Sequence, residues 1–191
     1  MLKLHSNLED MKVISFQSEK ALAVFEDLIV RASSAQVIGM LVTQKSFLKS
    51  TRKLIVLPDI LEISNAIYVQ NDDAILSTDE IVRLRELEKE RFSLINLPVE
   101  SRSGEKIGQI TDYVFDTLTG QIMKFHSSPR LLGFNQTERI IATEQVYELT
   151  KDKLIVQDGQ EKIQSKLESL LTIQNEFGSE RGFSVKLQTK P

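Results

Sequence analysis

The chain has 191 residues, 41% of them hydrophobic, which is enough for one large domain or two small ones around a buried core. A net charge of -3 and the absence of cysteine exclude a uniformly basic nucleic-acid or lipid-binding coat, a disulfide framework, thiolate zinc ligation and cysteine nucleophiles. No apolar run approaches the roughly 20 residues that span a bilayer, and Met1–Met11 lacks the apolar core of a signal peptide. The cytosol is therefore the expected compartment, with peripheral contact at a membrane as the second location.

In chain order, residues 8–76 come first and read as short strands. Sliding the chain on itself by 85 residues lays Phe25–Val30 over Ile110–Phe115, Asp27 on Asp112 and Gln36 on Gln121. One extra residue in the following loop aligns Lys53–Ile63 with Arg139–Leu149, and Tyr68–Gln70 with Leu154–Val156. Apolar positions track each other at low identity, which reads as duplication of a small domain, because the unit exceeds the usual solenoid periods. Copy one has Glu19 and Ala35 where copy two has Gly104 and Gly120, so its turns are expected to be of other types.

Residues 77–92 differ in kind. Ser77 with Glu80 three positions on forms a capping box, acids open the segment and bases close it. Only Ile81, Leu84, Leu87 and Phe92 are strongly apolar, so this predicted helix buries a narrow stripe and serves as a connector.

Residues 93–159 form the second copy, with strands expected near 94–99, 107–115, 121–125, 139–142, 146–149 and 153–156. Five or six such strands around a small core predict a closed antiparallel barrel, since closure removes exposed edges. A second amphipathic helix is predicted over 160–178, with Ile163, Leu167, Leu170 and Leu171 on one face. The tail, 179–191, is polar and expected to be mobile.

Candidate chemistry is sparse. The two histidines, His5 and His126, read as a frayed-terminus residue and a solvated loop residue. Asp112 and Asp116 have the spacing of a cation pair, yet a turn or strand-end role fits them better. Ser103–Gly108 lacks the ending of a phosphate loop and reads as a hairpin turn. No catalytic residue, metal ligand or cofactor is assigned.

The more informative features are two loops. In copy one, Lys45, Lys49 and Arg52 surround Phe47 and Leu48, a pattern that suits RNA phosphates, anionic headgroups or an acidic protein face. In copy two, Arg130 precedes Leu132 and Phe134 in the equivalent place. The alternative for both is a solvated loop with buried apolar anchors.

The second copy, with its opening strand, Ser-Gly turn, Ile107–Asp116 and Gly120, resembles the PRC-barrel family; Gly108, Asp112, Asp116 and Gly120 carry the pattern. Copy one is similar to a divergent member without the glycines. The resemblance implies a mainly β fold of two small antiparallel barrels in tandem, joined by the charged helix and followed by the amphipathic one. It also implies a role: the family's domain occurs in the cytoplasmic part of the photosynthetic reaction centre H subunit and in a ribosome maturation factor. In those settings it assembles a larger complex without covalent chemistry. The expected function is accordingly a non-enzymatic adaptor or assembly factor for a protein complex, a photosynthetic membrane complex in the first reading. A ribosome-associated or RNA-binding maturation factor is the alternative.

Overall fold

The computed structural model describes residues 1–46, 49–77, 92–129 and 138–158. Runs rich in Val, Ile, Leu and Phe with alternating burial build fourteen strands. The first sheet contains β2 (Lys12–Ser15), β3 (Ala21–Arg31), β4 (Gln36–Lys45), β5 (Ser50–Val56), β6 (Ile60–Ile63), β7 (Ile67–Val69) and β8 (Leu76–Ser77). The second contains β9 (Pro98–Ser101), β10 (Lys106–Asp116), β11 (Ile122–Ser128), β12 (Arg139–Ala142), β13 (Val146–Leu149) and β14 (Leu154–Val156), joined by β1 (Leu2–Leu4).

Six strands of each sheet follow one pattern. The orders are β6-β7-β2-β3-β4-β5 and β13-β14-β9-β10-β11-β12, each with one parallel pair, β2–β7 and β9–β14. The registers agree residue for residue: Leu41 faces Leu54 as His126 faces Ile140, and Val13 faces Ile67 as Val99 faces Leu154. The β3–β4 ladder slips between Phe25 and Asp27 and again between Ile29 and Val30; the β10–β11 ladder slips at Ile110/Asp112 and Val114/Phe115. Bulges re-aim a strand and increase its twist, so shared bulges mean shared curvature.

Several sequence expectations change here. The sheets are barrel-like, and among the described residues their hydrogen-bonded ladders end on edge strands, β6 and β8 in one sheet, β12 and β13 in the other. They are not wholly antiparallel. The alignment gains a further residue before β7, since Ile67, not Tyr68, occupies the place of Leu154. Residues 94–97 form a turn, not a strand, with Asn96 at φ 67 matching Asp10 at φ 59 ahead of β2. Glu19 (φ 56) and Ala35 (φ 46) adopt the left-handed conformation that Gly104 (φ 89) and Gly120 (φ 73) adopt, so these turn positions agree despite the missing glycines. At Ala35 the flanking sheet imposes what the side chain disfavours, a cost of roughly 1–2 kcal/mol.

The amino terminus is not frayed. β1 pairs with β10, and His5 continues the contact by donating its backbone N–H to the Tyr113 carbonyl at 2.9 Å. Residues 1–5 thus complete the second sheet although the first follows them in sequence. Residues 1–156 make one compact unit with a continuous apolar core running from Leu8 and Val13 to Tyr113, Phe115, Phe125 and Val156. Ser77 lies in β8 beside Lys53 and Phe92 is irregular chain, so neither end residue of the expected connecting helix is helical. Residues 78–91, the helix expected at 160–178 and the tail at 179–191 fall outside the described residues.

A short antiparallel bridge ties the sheets together. Val37 donates to the Gly120 carbonyl at 2.8 Å, Ile122 donates to the Ala35 carbonyl at 3.0 Å, and Gln36 faces Gln121. Replacing each residue by its counterpart 85 positions away regenerates the same two bonds, which is the signature of an isologous contact. The Gln36 amide adds a 2.7 Å bond to the Thr119 carbonyl.

Gly120 is the tightest point of this bridge. A Cβ there would collide with the Val37 carbonyl oxygen and lie 2.7 Å from Leu57 Cδ2, on a backbone at φ +73. Gly120→Ala is expected to lower the unfolding free energy by about 2 kcal/mol or more, read by chemical denaturation; an unchanged midpoint would contradict this role.

Candidate interaction surfaces

The β4–β5 hairpin extends past the rest of its sheet. β3 pairs with β4 only as far as Thr43, whereas β4 and β5 continue to the Lys45–Ser50 pair. The hairpin closes through Ser46: its N–H and hydroxyl reach the Lys49 carbonyl at 2.9 and 2.8 Å, and Lys49 N–H returns to Ser46 Oγ at 3.2 Å. Lys45 and Lys49 are exposed at this tip. Phe47 and Leu48 lie between them, outside the described residues, as do Arg130, Leu132 and Phe134 of the equivalent loop in the second sheet.

Arg52 plays a different part from the two lysines. Its guanidinium pairs with Glu26, Nε donating to Oε2 at 2.9 Å and NH2 pairing with Oε1, while Thr43 donates to Oε2 at 2.9 Å. This forked pairing ties β5 across β4 to β3 and neutralises the cation, so Arg52 braces the hairpin that carries the lysines. The candidate site thus contracts to Lys45 and Lys49 among its described members.

Ionisable groups concentrate instead at the joint of the two sheets. His5 is only 9% exposed, its ring stacked on Tyr113 at 4.9 Å and edge-on to Phe25 at 6.0 Å. Its Nε2 lies 3.4 Å from Asp27 Oδ1. Asp27 also accepts the Leu28 N–H at 2.8 Å, and Asp112, its counterpart, accepts the Tyr113 N–H at 2.8 Å. Each aspartate sits at a bulge and caps the next amide, while Asp112 additionally takes the Ser6 hydroxyl and N–H at 2.5 and 3.2 Å. Burial, reinforced by the charges of Asp27 and Asp112, pushes the Tyr113 phenol well above its usual range. Sequence reading missed this cluster, since nothing local links His5 to residues more than twenty and a hundred positions away.

The other singled-out groups also serve structure. Asp116 accepts the N–H groups of Leu118 and Thr119 at 3.0 and 2.9 Å, the Thr119 hydroxyl at 3.2 Å and the Met1 amino group at 3.0 Å. The turn or strand-end role expected of Asp116 therefore holds, whereas Asp112 sits at a bulge inside β10. His126 contacts Glu138 through Nδ1 at 2.9 Å, and Ser103–Gly108 forms a hairpin turn, with Ser101 N–H donating to the Glu105 carbonyl. No group of three ligating side chains among the described residues is placed to hold a metal ion. No helix among them is long and apolar enough to cross a membrane.

One buried polar group is left over. The Ser127 hydroxyl is buried with no hydrogen-bond partner among the described residues, at the position where the first sheet has fully buried Val42.

Two sheets of one strand order, shared bulges and ionisable groups spent on turns and joints define a class of small β scaffold. Residues 87–163 match the family model described as PRC-barrel domain, so the second sheet is similar to the domain of that family. No curated protein matches the chain.

Two outcomes follow from these environments. The amides at Thr119 above all, then the Met1 amino group, hold the Asp116 carboxyl down at about 2, below its ordinary value of 3.8. A depressed folded-state value means that the stabilisation is present above the unfolded pKa and is lost as pH falls from about 4 towards 2. Asp116→Asn should flatten the pH dependence of the melting temperature in that window; an unchanged slope would argue against it. Ser127→Ala removes a buried hydroxyl that has no partner among the described residues, and is expected to raise the unfolding free energy by about 1 kcal/mol. Denaturant titration reads it, and a destabilised variant would show that the hydroxyl has a partner.

Proposed function

We propose that the chain is a non-enzymatic docking protein that holds or assembles a larger protein complex. The observation that carries this reading is the β4–β5 hairpin, a projecting arm with exposed Lys45 and Lys49 at its tip and Arg52 locked into its base. A charged tip on a rigid two-strand support steers association with an oppositely charged surface and raises the on-rate more than the residence time. The ionisable side chains at the sheet joint are engaged in capping amides and in packing, which supports a structural use for them.

The scaffold itself is part of the proposal. Residues 8–76 are read as a second, divergent PRC-barrel unit, supported by the same strand order, the same ladder registers and the same bulges as the family-matched sheet. Two such units in one chain offer two related faces, and engagement of both by one assembly multiplies weak contacts through effective concentration.

The partner is proposed to be a membrane-bound photosynthetic complex met from the aqueous side, the setting that the resemblance to the H-subunit domain brings first. A ribosomal particle is the second candidate, favoured by the same two lysines, which suit RNA phosphates as well as acidic protein.

The test is charge reversal at the tip. Affinity capture with Lys45→Glu/Lys49→Glu protein is expected to lose the complexes retained by the unaltered chain by tenfold or more at low salt, with the melting temperature unchanged. Retention equal to that of the unaltered chain would remove the hairpin from the interface. Enrichment of pigment-protein subunits names the first partner, whereas ribosomal proteins and RNA released steeply by salt name the second.

A further inference from the structure

The two sheets differ most at one place on their outer faces. In the second sheet Arg102, just past β9, lays its guanidinium 4.6 Å over the ring of Tyr147 on the edge strand β13. The pair satisfies itself, cation against aromatic face. The counterparts in the first sheet are Phe16, just past β2, and Leu61, on the edge strand β6. Equal registers put them on one face, flanking β7, and neither is covered: Phe16 is 69% and Leu61 50% exposed. Here the chain displays two large apolar side chains where its own duplicate has a closed polar contact.

The surroundings give this face a sign. A groove of about 400 Å³ opens beside Leu61, lined by Pro58, Asp59, Gln70, Asn71, Asp73 and Ala74 as well. Asp59, Glu62, Asp72 and Asp73 are exposed around it, and Glu19 stands in the loop that carries Phe16. Lys20, in the same loop as Phe16, acts weakly on Asp72. Bonds from Ser15 and then Ser18 hold the Asp72 carboxyl below its usual range, so it stays charged. An apolar centre inside an acidic rim repels acidic partners and suits an occupant with alternating apolar and basic side chains.

We propose that the Phe16–Leu61 face is a docking site for a basic, amphipathic peptide segment of a partner protein. Phe16 and Leu61 contact its apolar side chains, the groove beside Leu61 accepts one of them, and Asp59, Glu62 and Asp73 meet its lysines or arginines. The inference rests on the reading of the chain as a docking protein and gives it a second face, opposite in charge to the hairpin tip. One chain is thereby equipped to hold an acidic surface and a basic segment of the same assembly.

The test uses the full chain and three fluorescein-labelled twelve-residue peptides, one alternating Lys and Leu, one Glu and Leu, and one Lys and Ser. Fluorescence anisotropy is expected to show the Lys-Leu peptide binding at least tenfold more tightly than either other peptide, and more weakly as salt rises. Phe16→Ser/Leu61→Ser should lose that binding by tenfold or more. Phe16→Arg/Leu61→Tyr, which imports the pair from the second sheet, should lose it as well, with melting temperatures retained in both. Equal binding of the Glu-Leu peptide, or full binding by both variants, would overturn the proposal. So would a concentration-dependent dimer in sedimentation that the same substitutions abolish, since the face would then belong to a second copy of this chain. Failure here with a positive result for the Lys45/Lys49 reversal leaves the docking reading intact and removes only this face.

Discussion

The two hydrogen bonds that cross between Ala35–Val37 and Gly120–Ile122 are the constraint on which the rest of the molecule depends. Among the described residues they fix the one place where both sheets present backbone to each other, and they require left-handed residues at Ala35 and Gly120 to do so. From that bridge the long strands β3 and β10 lead back to bulges at Asp27 and Asp112, which bring the Asp27 carboxylate, Tyr113 and Phe25 around the ring of His5 and the Asp112 carboxylate onto Ser6. The amino-terminal strand is pinned in the same movement. Continuity of the core across both sheets follows, because surfaces held this close exclude water between them.

Much of this organisation is legible in the sequence because a duplicated pattern is a non-local signal that survives low identity. Apolar spacing identifies the long strands and their counterparts, and the extra loop residue between β4 and β5 falls where the ladders place it. What periodicity does not carry is conformation imposed from outside. Glu19 and Ala35 look unsuited to left-handed turns by their own preferences; the bond of Glu19 N–H to the Ser15 carbonyl closes the first turn and the bond of Ile122 to the Ala35 carbonyl holds the second from distant backbone. The same holds for His5, whose five-residue neighbourhood is polar and short, and whose burial comes entirely from β3 and β10. Barrel formation was expected because free edges are a liability; among the described residues the edge strands are four residues or fewer, which limits that liability.

The candidate site was half legible for a related reason. Charge in a loop shows in sequence, but its neutralisation does not: Glu26 lies 26 residues from Arg52 and two strands away, and it removes one of the cations that the loop seemed to offer. The Phe16–Leu61 pair was invisible altogether, since isolated apolar residues among polar ones are ordinary at a surface. Comparison of a strand pair with the corresponding pair of the other sheet makes it visible. At this position the second sheet is self-satisfied through Arg102 and Tyr147, and the first is open at Phe16 and Leu61.

The chain has no tryptophan and three tyrosines, and their placement has a practical consequence. Tyr147 is exposed and Tyr68 sits at a strand on the rim with its hydroxyl on Asn65, while Tyr113 alone is sealed into the joint against His5. Its ring, immobilised against His5, gives a near-ultraviolet dichroism that reports on the packing of the joint. The molecule thus carries a built-in spectroscopic probe between its two sheets, free of competing indole signal.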